Sequence, residues 1–215
     1  MSKIIVIGSN SFSGSSFINF ILKKKFRVIG ISRSKEYNNI FLKYKKNPYI
    51  KNFRFIKLNI NENFNKICEV IQKEKPEYII NFAAQGMVNE SWDSPLDWYQ
   101  TNFISQIKLI EFIKEKNFLK KYIHFTTPEV YGNTPNWKKE TFLFNPSTPY
   151  ALSRAAGDIH LKNLFDTYKF PVIFTRAANV YGEGQQLYRI VIKAILSFKL
   201  EKKIELHGGG KSTRS

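Results

Sequence analysis

Residues 4–14, with the sequence IIVIGSNSFSG, decide the fold of this 215-residue chain. The first four residues are β-branched and apolar, which is typical of a strand buried inside a parallel sheet. Gly8 ends the strand and permits a tight turn, and Gly14 permits close approach of the helix that follows. Because the N-terminus of such a helix offers free N–H groups to a pyrophosphate, the segment predicts a dinucleotide-binding turn.

The spacing of the glycines does not by itself establish this function. Ser11 stands where the middle glycine of a G-x-x-G-x-x-G loop would be, and turns of glycine and serine also occur in ordinary loops. The position of the loop, as the first connection between a strand and a helix, favours a cofactor site. The predicted contacts in this loop are Gly8, Asn10, Ser11, Phe12 and Gly14.

Outward from the loop, strand and helix signals alternate along the chain. The predicted strands are 4–7, 27–31, 53–58, 78–82, 122–125 and 172–175, and the predicted helices are 15–24, 63–73, 100–116, 153–168 and 187–198. Strands separated by helices pair in parallel through right-handed crossovers. We therefore predict an α/β protein with a Rossmann-type, doubly wound parallel sheet, which binds its ligands at the carboxyl ends of the strands.

Basic residues outnumber acidic ones by 34 to 17, which gives a formal net charge of +17. Such a charge occurs in proteins that bind nucleic acids or anionic membranes. The lysines are nevertheless scattered and fall mostly near predicted helix ends, so we interpret the charge as solvated surface. We therefore predict no nucleic-acid partner and no membrane partner.

The expected location of the protein rests on apolar runs and cysteine content. No apolar run approaches the roughly 18 residues that cross a membrane, and the N-terminal run is too short for a signal peptide. Cys68 is the only cysteine, so an intrachain disulfide is excluded. These features are typical of the reducing cytoplasm, and we predict a cytoplasmic protein.

The end of the second predicted strand bears on the choice of cofactor. NAD sites have a carboxylate at this position, whereas NADP sites offer an arginine to the 2′-phosphate. Ser32 and Arg33 occupy it here, and the first acid is Glu36. We predict NADP as the cofactor, with NAD as the alternative if Arg33 is only solvated.

Three further segments follow predicted strands or lead from them. They read TTPEVYG at 126–132, YALSR at 150–154 and RAANVYG at 176–182. In a doubly wound sheet the carboxyl ends of the strands meet at one edge, where the active site lies. We therefore expect these segments to form one catalytic site.

With these segments, the chain resembles the extended short-chain dehydrogenase/reductase family, which includes NAD-dependent epimerases and dehydratases. It is most similar to the NDP-sugar 4,6-dehydratases, and the dTDP-glucose and GDP-mannose enzymes are the nearest types. The resemblance covers essentially all 215 residues and includes NFAAQ at 81–85, TN at 101–102, STPY at 147–150 and HGGGKSTRS at 207–215. It implies conversion of an NDP-hexose to an NDP-4-keto-6-deoxyhexose, with internal hydride transfer through bound NAD(P).

The resemblance also assigns catalytic roles to four residues. Tyr150 would remove the proton of the sugar C4 hydroxyl, and Thr127 would hydrogen-bond that oxygen. Glu129 would take the C5 proton, which the new C4 ketone acidifies, and a raised pKa would suit this carboxylate as the base. Arg154 would take the place of the family lysine, whose charge favours the tyrosine phenolate.

Binding roles follow from the same resemblance. Besides the glycine loop, cofactor contacts are implied for Ser32, Arg33, Asn59, Ile60, Phe82, Ala83, Ala84, Thr101, Tyr150, Arg154 and Ala177. Contacts with the nucleotide-diphosphate sugar are implied for Gln85, Met87, Thr127, Asn179 and Arg189. No metal site is implied.

Two positions depart from the family pattern. Arg154 replaces the lysine of Y-x-x-x-K, and arginine keeps the charge but is bulkier, fork-shaped and always protonated. Pro128 replaces the aspartic acid that protonates the leaving C6 hydroxyl in dTDP-glucose dehydratases. The GDP-mannose enzymes also lack this acid, so Pro128 weakens the dTDP-glucose assignment more than the reaction class.

The family pattern further predicts how the protein is organised. Residues 1–183 would form the cofactor-binding domain with the catalytic residues, and 184–215 would begin a substrate-binding lobe that continues beyond this chain. Family members commonly dimerise through two helices, here 100–116 and 153–168. We therefore predict a homodimer.

Two other functions stay open. A 4-epimerase or a decarboxylase of a nucleotide sugar would share the fold, the threonine and the tyrosine, although a simple epimerase needs no C5 base such as Glu129. Ser11, Pro128 and Arg154 all depart from the pattern. A non-catalytic NAD(P)-binding scaffold is therefore the second alternative.

Overall fold

Six parallel strands form one sheet in a computed structural model, which describes residues 2–134 and 136–205. The strands are β1 (Lys3–Ile7), β2 (Arg27–Ser32), β3 (Phe53–Lys57), β4 (Tyr78–Asn81), β5 (Lys121–Thr126) and β6 (Val172–Arg176). Their order is β3-β2-β1-β4-β5-β6, and every neighbouring pair is parallel. The predicted Rossmann-type sheet is confirmed, and its strand order reverses between β1 and β4, where such a sheet forms its ligand crevice.

Helices connect the strands on both faces of the sheet. They are α1 (Phe12–Lys23), α2 (Phe64–Glu74), α3 (Glu90–Asp93), α4 (Pro95–Tyr99), α5 (Ser105–Ile113), α6 (Pro149–Tyr168) and α7 (Ile190–Lys199). A π-helical segment, Gln100–Ile104, joins α4 to α5, and short 3-10 helices occupy Lys43–Lys46, Ile50–Asn52 and Pro128–Tyr131. Within the described residues, no helix is long and apolar enough to cross a membrane.

Two helices begin earlier than the apolar pattern predicts, because polar side chains cap them. The Ser11 hydroxyl accepts a hydrogen bond from Gly14 N at 3.0 Å, so that α1 begins at Phe12 instead of residue 15. The Thr148 hydroxyl accepts from Ala151 N at 3.1 Å, and Pro149 suits the first helical position. Helix α6 therefore begins at Pro149, and its first turn carries a predicted catalytic residue.

The larger core lies between the sheet and helices α2, α5 and α6. Alternate residues of the strands face it, among them Ile5, Ile79 and Tyr122, and all three are completely buried. The helices contribute apolar side chains such as Ile67 and Leu109. Close packing of this core holds the strands in place. The positions of their carboxyl ends, which border the site, are therefore fixed.

The opposite face of the sheet is covered only in part. Helix α1 and the 3-10 helix Lys43–Lys46 pack over β1 and β2, with Ile18 and Tyr44 fully buried. Beside them an apolar strip of about 380 Å³ stays open along β4 and β5, and Ile80 and Phe125 are among its lining residues. The two faces of the sheet therefore differ in how fully they exclude water among the described residues.

We expect Ile79→Ala to lower the free energy of unfolding by about 2–5 kcal/mol, because it leaves a cavity in the larger core. The matched control is Ile173→Ala on β6, where the isoleucine is 43% exposed. It should cost about 1 kcal/mol or less, since little apolar surface is lost from the interior. Urea unfolding followed by circular dichroism measures both, and equal losses would contradict this assignment of the core.

Candidate active site

The glycine loop brings two chain segments into close contact at the sheet edge. Gly8 has a φ of +82°, and a Cβ on it would lie 2.6 Å from the Ala83 nitrogen. A Cβ on Gly14 would lie 2.4 Å from the Gly8 carbonyl oxygen. Only glycine fits at either position, which leaves the backbone of the loop bare for a ligand.

The N-terminus of α1 opens beside this loop. Ser11 Oγ satisfies the Gly14 amide, whereas the amides of Phe12 and Ser13 have no acceptor within the described residues. No acidic residue lies in the first turn of the helix. Unpaired amides and a positive helix end are what a pyrophosphate needs.

The end of β2 is tied to the same loop by hydrogen bonds. Ser32 Oγ accepts from the Asn10 backbone nitrogen at 2.9 Å and lies 3.3 Å from Ser9 Oγ. The Asn10 amide donates to the Ser34 carbonyl at 3.0 Å. Ser32 is buried and occupied in this way, whereas the neighbouring Arg33 is exposed at this strand end.

The segment after β4 completes the opposite wall of the crevice. Asn81 Oδ1 accepts from Ala83 N at 2.9 Å and so fixes the run that follows, which includes Phe82, Ala83 and Ala84. Gln85 Oε1 lies 3.4 Å from Arg33 Nη1, so a predicted substrate contact and a predicted cofactor contact meet across the crevice.

Asn102 is a positioning residue to which the sequence analysis assigned no role. It lies in the π-helical segment, is buried, and its Oδ1 accepts from Gln85 N at 2.7 Å. Its Nδ2 donates to the Gln85 carbonyl and to Ser153 Oγ, both at 3.0 Å. A π-helical turn is frequent at functional sites, and here it links the segment after β4 to α6.

The segment after β3 contributes the next predicted cofactor residues. The Asn59 backbone nitrogen donates a hydrogen bond to Asn63 Oδ1 at 2.9 Å, and Ile60 is buried. Asn61 Nδ2 donates to Thr101 Oγ1 at 3.0 Å. The structure therefore brings the predicted residues after β3 close to the predicted residue before α5.

The catalytic carboxylate candidate lies in a capped turn directly after β5. Thr127 is 8% exposed, and its Oγ1 accepts from the Glu129 nitrogen at 3.3 Å. Pro128 begins the 3-10 helix, and the buried Val130 anchors it to the core. Glu129 itself is half-buried, so its position is set by a short turn with an internal cap and an apolar anchor.

Tyr150 lies in the first turn of α6, where hydrogen bonds fix its backbone on both sides. Its nitrogen donates to Ser91 Oγ at 3.2 Å, and its carbonyl accepts from Ser153 Oγ at 2.7 Å. The side chain is half-buried. The predicted tyrosine is thus held by residues from two separate elements.

A buried network of polar side chains lies beneath these catalytic candidates. Asp158 on α6 is fully buried, and its Oδ1 lies 3.1 Å from His124 Nε2. Its Oδ2 accepts from Thr126 Oγ1 at 3.0 Å and from Arg176 Nη2 at 3.1 Å. Gln106 Nε2 lies 3.2 Å from His124 Nδ1 and 3.4 Å from His124 Nε2, so it borders the network from α5.

The protonation states of this network follow from burial and neighbouring charges. Burial lowers the pKa of His124 below its ordinary range, and the hydrogen bond with Asp158 opposes that shift without reversing it. Burial alone would raise the pKa of Asp158, but the His124 hydrogen bond and the Arg154 charge hold it below its ordinary range. At neutral pH the histidine is therefore neutral and the carboxyl group is ionised.

Arg154 belongs to the same buried layer. Its side chain is almost fully buried and donates to the Phe125 carbonyl near the end of β5, whereas its Nε has no acceptor within the described residues. Sequence reasoning assigned this arginine to Tyr150, and that pairing stays a prediction. The network could have been inferred from the sequence, because His124, Thr126 and Asp158 are polar residues at positions of β5 and α6 that face the interior.

The remaining predicted residues lie in more exposed segments. Met87 has a φ of +67° and is 42% exposed, and Ala177 and Asn179 follow β6. Arg189 is the residue before α7, and its guanidinium lies 5.4 Å from the Tyr188 ring. The motif at 207–215 lies outside the described residues, and no group of potential metal ligands occurs among those that are described.

Residues 4–215 match the NAD dependent epimerase/dehydratase family. The dTDP-D-glucose 4,6-dehydratase of Dictyostelium discoideum is 30% identical over 232 aligned positions, which cover 100% of this chain and 52% of that enzyme. The chain therefore spans about half the length of this relative.

Two solved structures extend the comparison. The crystal structure of dTDP-glucose 4,6-dehydratase from Bacillus anthracis str. Ames in complex with NAD gives a TM-score of 0.82 at 27% identity, covering 98% of this chain and 65% of that one. The UDP-N-acetylglucosamine 4-epimerase from Methanobrevibacter ruminantium M1, in complex with UDP-N-acetylmuramic acid, gives 0.82 at 25% identity, covering 94% and 64%. Dehydratases and epimerases thus share this architecture.

We expect the free energy of unfolding to fall by about 1 kcal/mol between about pH 7 and pH 5.5, through His124. Its lowered pKa keeps it neutral in the folded protein, whereas the unfolded chain takes up a proton below about pH 6.5, so acid favours unfolding. The pKa of Asp158 is also lowered in the folded protein, so its protonation lowers the free energy of unfolding further only in stronger acid.

Urea unfolding at a series of pH values measures this loss. His124→Asn should lower stability at neutral pH but flatten the dependence, because it removes the titrating group. The comparison variant His160→Asn removes a half-buried histidine beside Glu111 of α5. Burial also lowers the pKa of His160, but this group is less buried than His124, so its removal should take away only the smaller part of the slope. An unchanged slope in His124→Asn would contradict the assignment.

Proposed function

Since this chain belongs to the NAD-dependent epimerase/dehydratase family, we propose that it carries the cofactor site and catalytic residues of a nucleotide-sugar 4,6-dehydratase. The proposed reaction converts an NDP-hexose to an NDP-4-keto-6-deoxyhexose with loss of water. The observation that carries the proposal is Glu129, held in a capped turn after β5 at the same sheet edge as the first turn of α6. A carboxylate at that position supplies the base that this reaction requires at sugar C5.

A dinucleotide fits the residues of the crevice. The bare Gly8 backbone and the unpaired amides of Phe12 and Ser13 suit a pyrophosphate, and Thr101 and Ala177 border the nicotinamide side in our proposal. When bound, NAD(P) accepts a hydride from the sugar and later returns it, so no external oxidant is consumed. The protein residues then have to move protons and hold the sugar.

Two side chains transfer protons in the proposed reaction, and two others support them. Tyr150 takes the proton from the C4 hydroxyl while Thr127 donates a hydrogen bond to that oxygen. The resulting C4 ketone acidifies the C5 hydrogen, and Glu129 removes it as a proton. Arg154 lies one helical turn beyond Tyr150, and in our proposal its charge takes the place of the family lysine.

Departure of the C6 hydroxyl needs a proton donor, and Pro128 cannot serve. We assign this second step to Glu129, which holds the C5 proton after abstraction and can deliver it to the leaving oxygen. The C6–O bond then breaks as a C5–C6 double bond forms, water departs, and the carboxylate is regenerated. The 4-keto-6-deoxy product then requires a hydride at C6, which bound NAD(P)H would return, and a proton at C5. One carboxyl group therefore acts first as base and then as acid, which requires that it reach both C5 and the C6 oxygen.

A 4-epimerase is the second candidate, favoured by the similarity to the epimerase from M. ruminantium. Epimerisation at C4 uses the tyrosine and threonine but no base at C5. Glu129 therefore distinguishes the candidates: the dehydratase depends on it and the epimerase does not.

Incubation of the full-length protein with a panel of NDP-hexoses tests the proposal. We expect a 4-keto-6-deoxy product, detected by mass spectrometry as loss of 18 Da (about one water). Glu129→Gln should still reduce the bound cofactor, seen by absorbance at about 340 nm, but release no such product, because an amide cannot accept the C5 proton. The exposed Glu140, in the segment that follows, provides the control Glu140→Gln, which should turn over normally. Full turnover by Glu129→Gln, or a C4 epimer as the only product, would exclude the dehydratase.

We further propose that the cofactor is NADP, although the B. anthracis relative was solved with NAD. Arg33 is exposed at the end of β2, and no carboxylate takes the place of Ser32. Calorimetric titration of Arg33→Ala should show weaker binding of NADP by about tenfold and an unchanged affinity for NAD, since one charged hydrogen bond is lost. A wild-type preference for NAD, or equal losses for both cofactors, would contradict the proposal.

The proposed assembly is a cytoplasmic homodimer formed through α5 and α6. Exposed apolar residues on these elements include Ile104 at the end of the π-helical segment, and Leu152 and Ile159 on α6. Apolar residues grouped on two neighbouring helices provide a surface that a second subunit would cover.

A further inference from the structure

Arg176, the last residue of β6, lies among four aromatic rings beside the catalytic turn. Its guanidinium carbon is 5.4 Å from the centre of Tyr131, 5.2 Å from Phe142, 5.1 Å from Phe144 and 5.8 Å from Phe174. We call these four rings the arginine cage. All four distances fall within the range of cation–π attraction, which strengthens when the cation is desolvated.

The charge of Arg176 is balanced from the opposite side. Nη2 lies 3.1 Å from Oδ2 of Asp158, which is fully buried and ionised. The Arg176 side chain is only 10% exposed. The guanidinium therefore joins α6, through Asp158, to the rings of the arginine cage.

The cage connects directly to the turn that carries Glu129. Tyr131 ends the 3-10 helix that contains Glu129, and Phe142 and Phe144 lie on the segment that returns towards α6. This return is fixed by hydrogen bonds: the Tyr131 hydroxyl lies 3.1 Å from the Thr141 carbonyl, and Asn145 N donates to the Val130 carbonyl at 3.0 Å. Two hydrogen bonds thus tie the turn that carries Glu129 to the returning segment. Arg176 packs against aromatic rings from both.

The geometry of the arginine cage also shows why a lysine at position 176 would not make the same contacts. A planar guanidinium can stack against several rings while its edge binds a carboxylate, whereas a lysine ammonium is a compact and strongly hydrated charge. Lys162 provides a useful contrast, because its ammonium lies 5.6 Å from the Phe142 ring but on the exposed side, where it pairs with Asp166. Of the two cations that contact these rings in the described part of the chain, only Arg176 lies close to all four ring centres.

We propose that Arg176 is a positioning residue that holds Glu129 in its reactive place, by fixing Tyr131 and the returning segment to the buried Asp158. The catalytic part of this inference rests on the role of Glu129 in the proposed dehydratase. The structural part, that Arg176 holds the turn, does not.

Hydrogen–deuterium exchange of the full-length protein tests the structural part. In Arg176→Met, peptides from residues 128–145 should exchange faster by about tenfold or more, while peptides from β1 and α5 should exchange as in wild type, because only local opening becomes easier. Phe144→Leu opens the cage but keeps the pair with Asp158, so it tests the same point if Arg176→Met fails to fold. Lys162→Met is the control and should change nothing. Unchanged exchange at 128–145 in both cage variants would overturn the proposal.

Kinetics test the catalytic part. Arg176→Met and Phe144→Leu should lower kcat by up to about a hundredfold, since small displacements of a catalytic group have effects of this size. KM for the nucleotide sugar should change little, and Arg176→Lys should recover part of kcat because it restores the charge beside Asp158. Unchanged kcat in variants whose turn opens would overturn the positioning role. If wild type turns over no NDP-hexose, the proposed function fails, and the exchange experiment still decides whether Arg176 holds the turn.

Discussion

The fully buried carboxylate of Asp158 is the interaction on which the geometry of the site depends. An ionised group can lie in the interior only if it is surrounded by donors, and its partners come from β5 and β6. Asp158 therefore joins α6 to the two strands that precede the candidate catalytic segments. Tyr150 lies eight residues earlier on the same helix, about 12 Å along its axis, so the network fixes the rotation and height of the helix end that carries the tyrosine. A purely apolar contact would allow α6 to slide, whereas directed hydrogen bonds define one register.

The fold could be predicted from the sequence because its signals are local. The β-branched run ending at Gly8, and the alternation of strand and helix that follows, indicate the parallel sheet before any tertiary contact is known. The membership of the dehydratase and epimerase family followed from motifs that are also local, such as residues 126–132. Helix starts at Phe12 and Pro149 were placed too late, since apolar periodicity begins inside the first turn, whereas a cap acts before it.

The parts of the site that escaped prediction depend on distant residues. The hydrogen bond between His124 and Asp158, and the contacts of Arg176 with its ring neighbours, join positions that no periodic pattern relates. The role of Ser32 is a similar case. The sequence indicates the missing carboxylate at the end of β2, but only the structure shows that the serine hydroxyl supports the glycine loop and is therefore not available to a ribose. The exposed side chain at this strand end is Arg33, and the proposed choice of NADP rests on it.

The π-helical segment Gln100–Ile104 has a consequence for how this protein tolerates insertions and deletions. Such a segment holds one residue more than a regular α-helix needs for the same number of turns, so that the helices on either side keep their apolar faces. Removal of one residue there would leave a continuous helix whose packing against the sheet is intact. Asn102 would then no longer meet the Gln85 backbone and Ser153. Folding and assembly of the crevice are therefore separable in this stretch, and a relative with a shorter helix would have to hold the segment after β4 by other means.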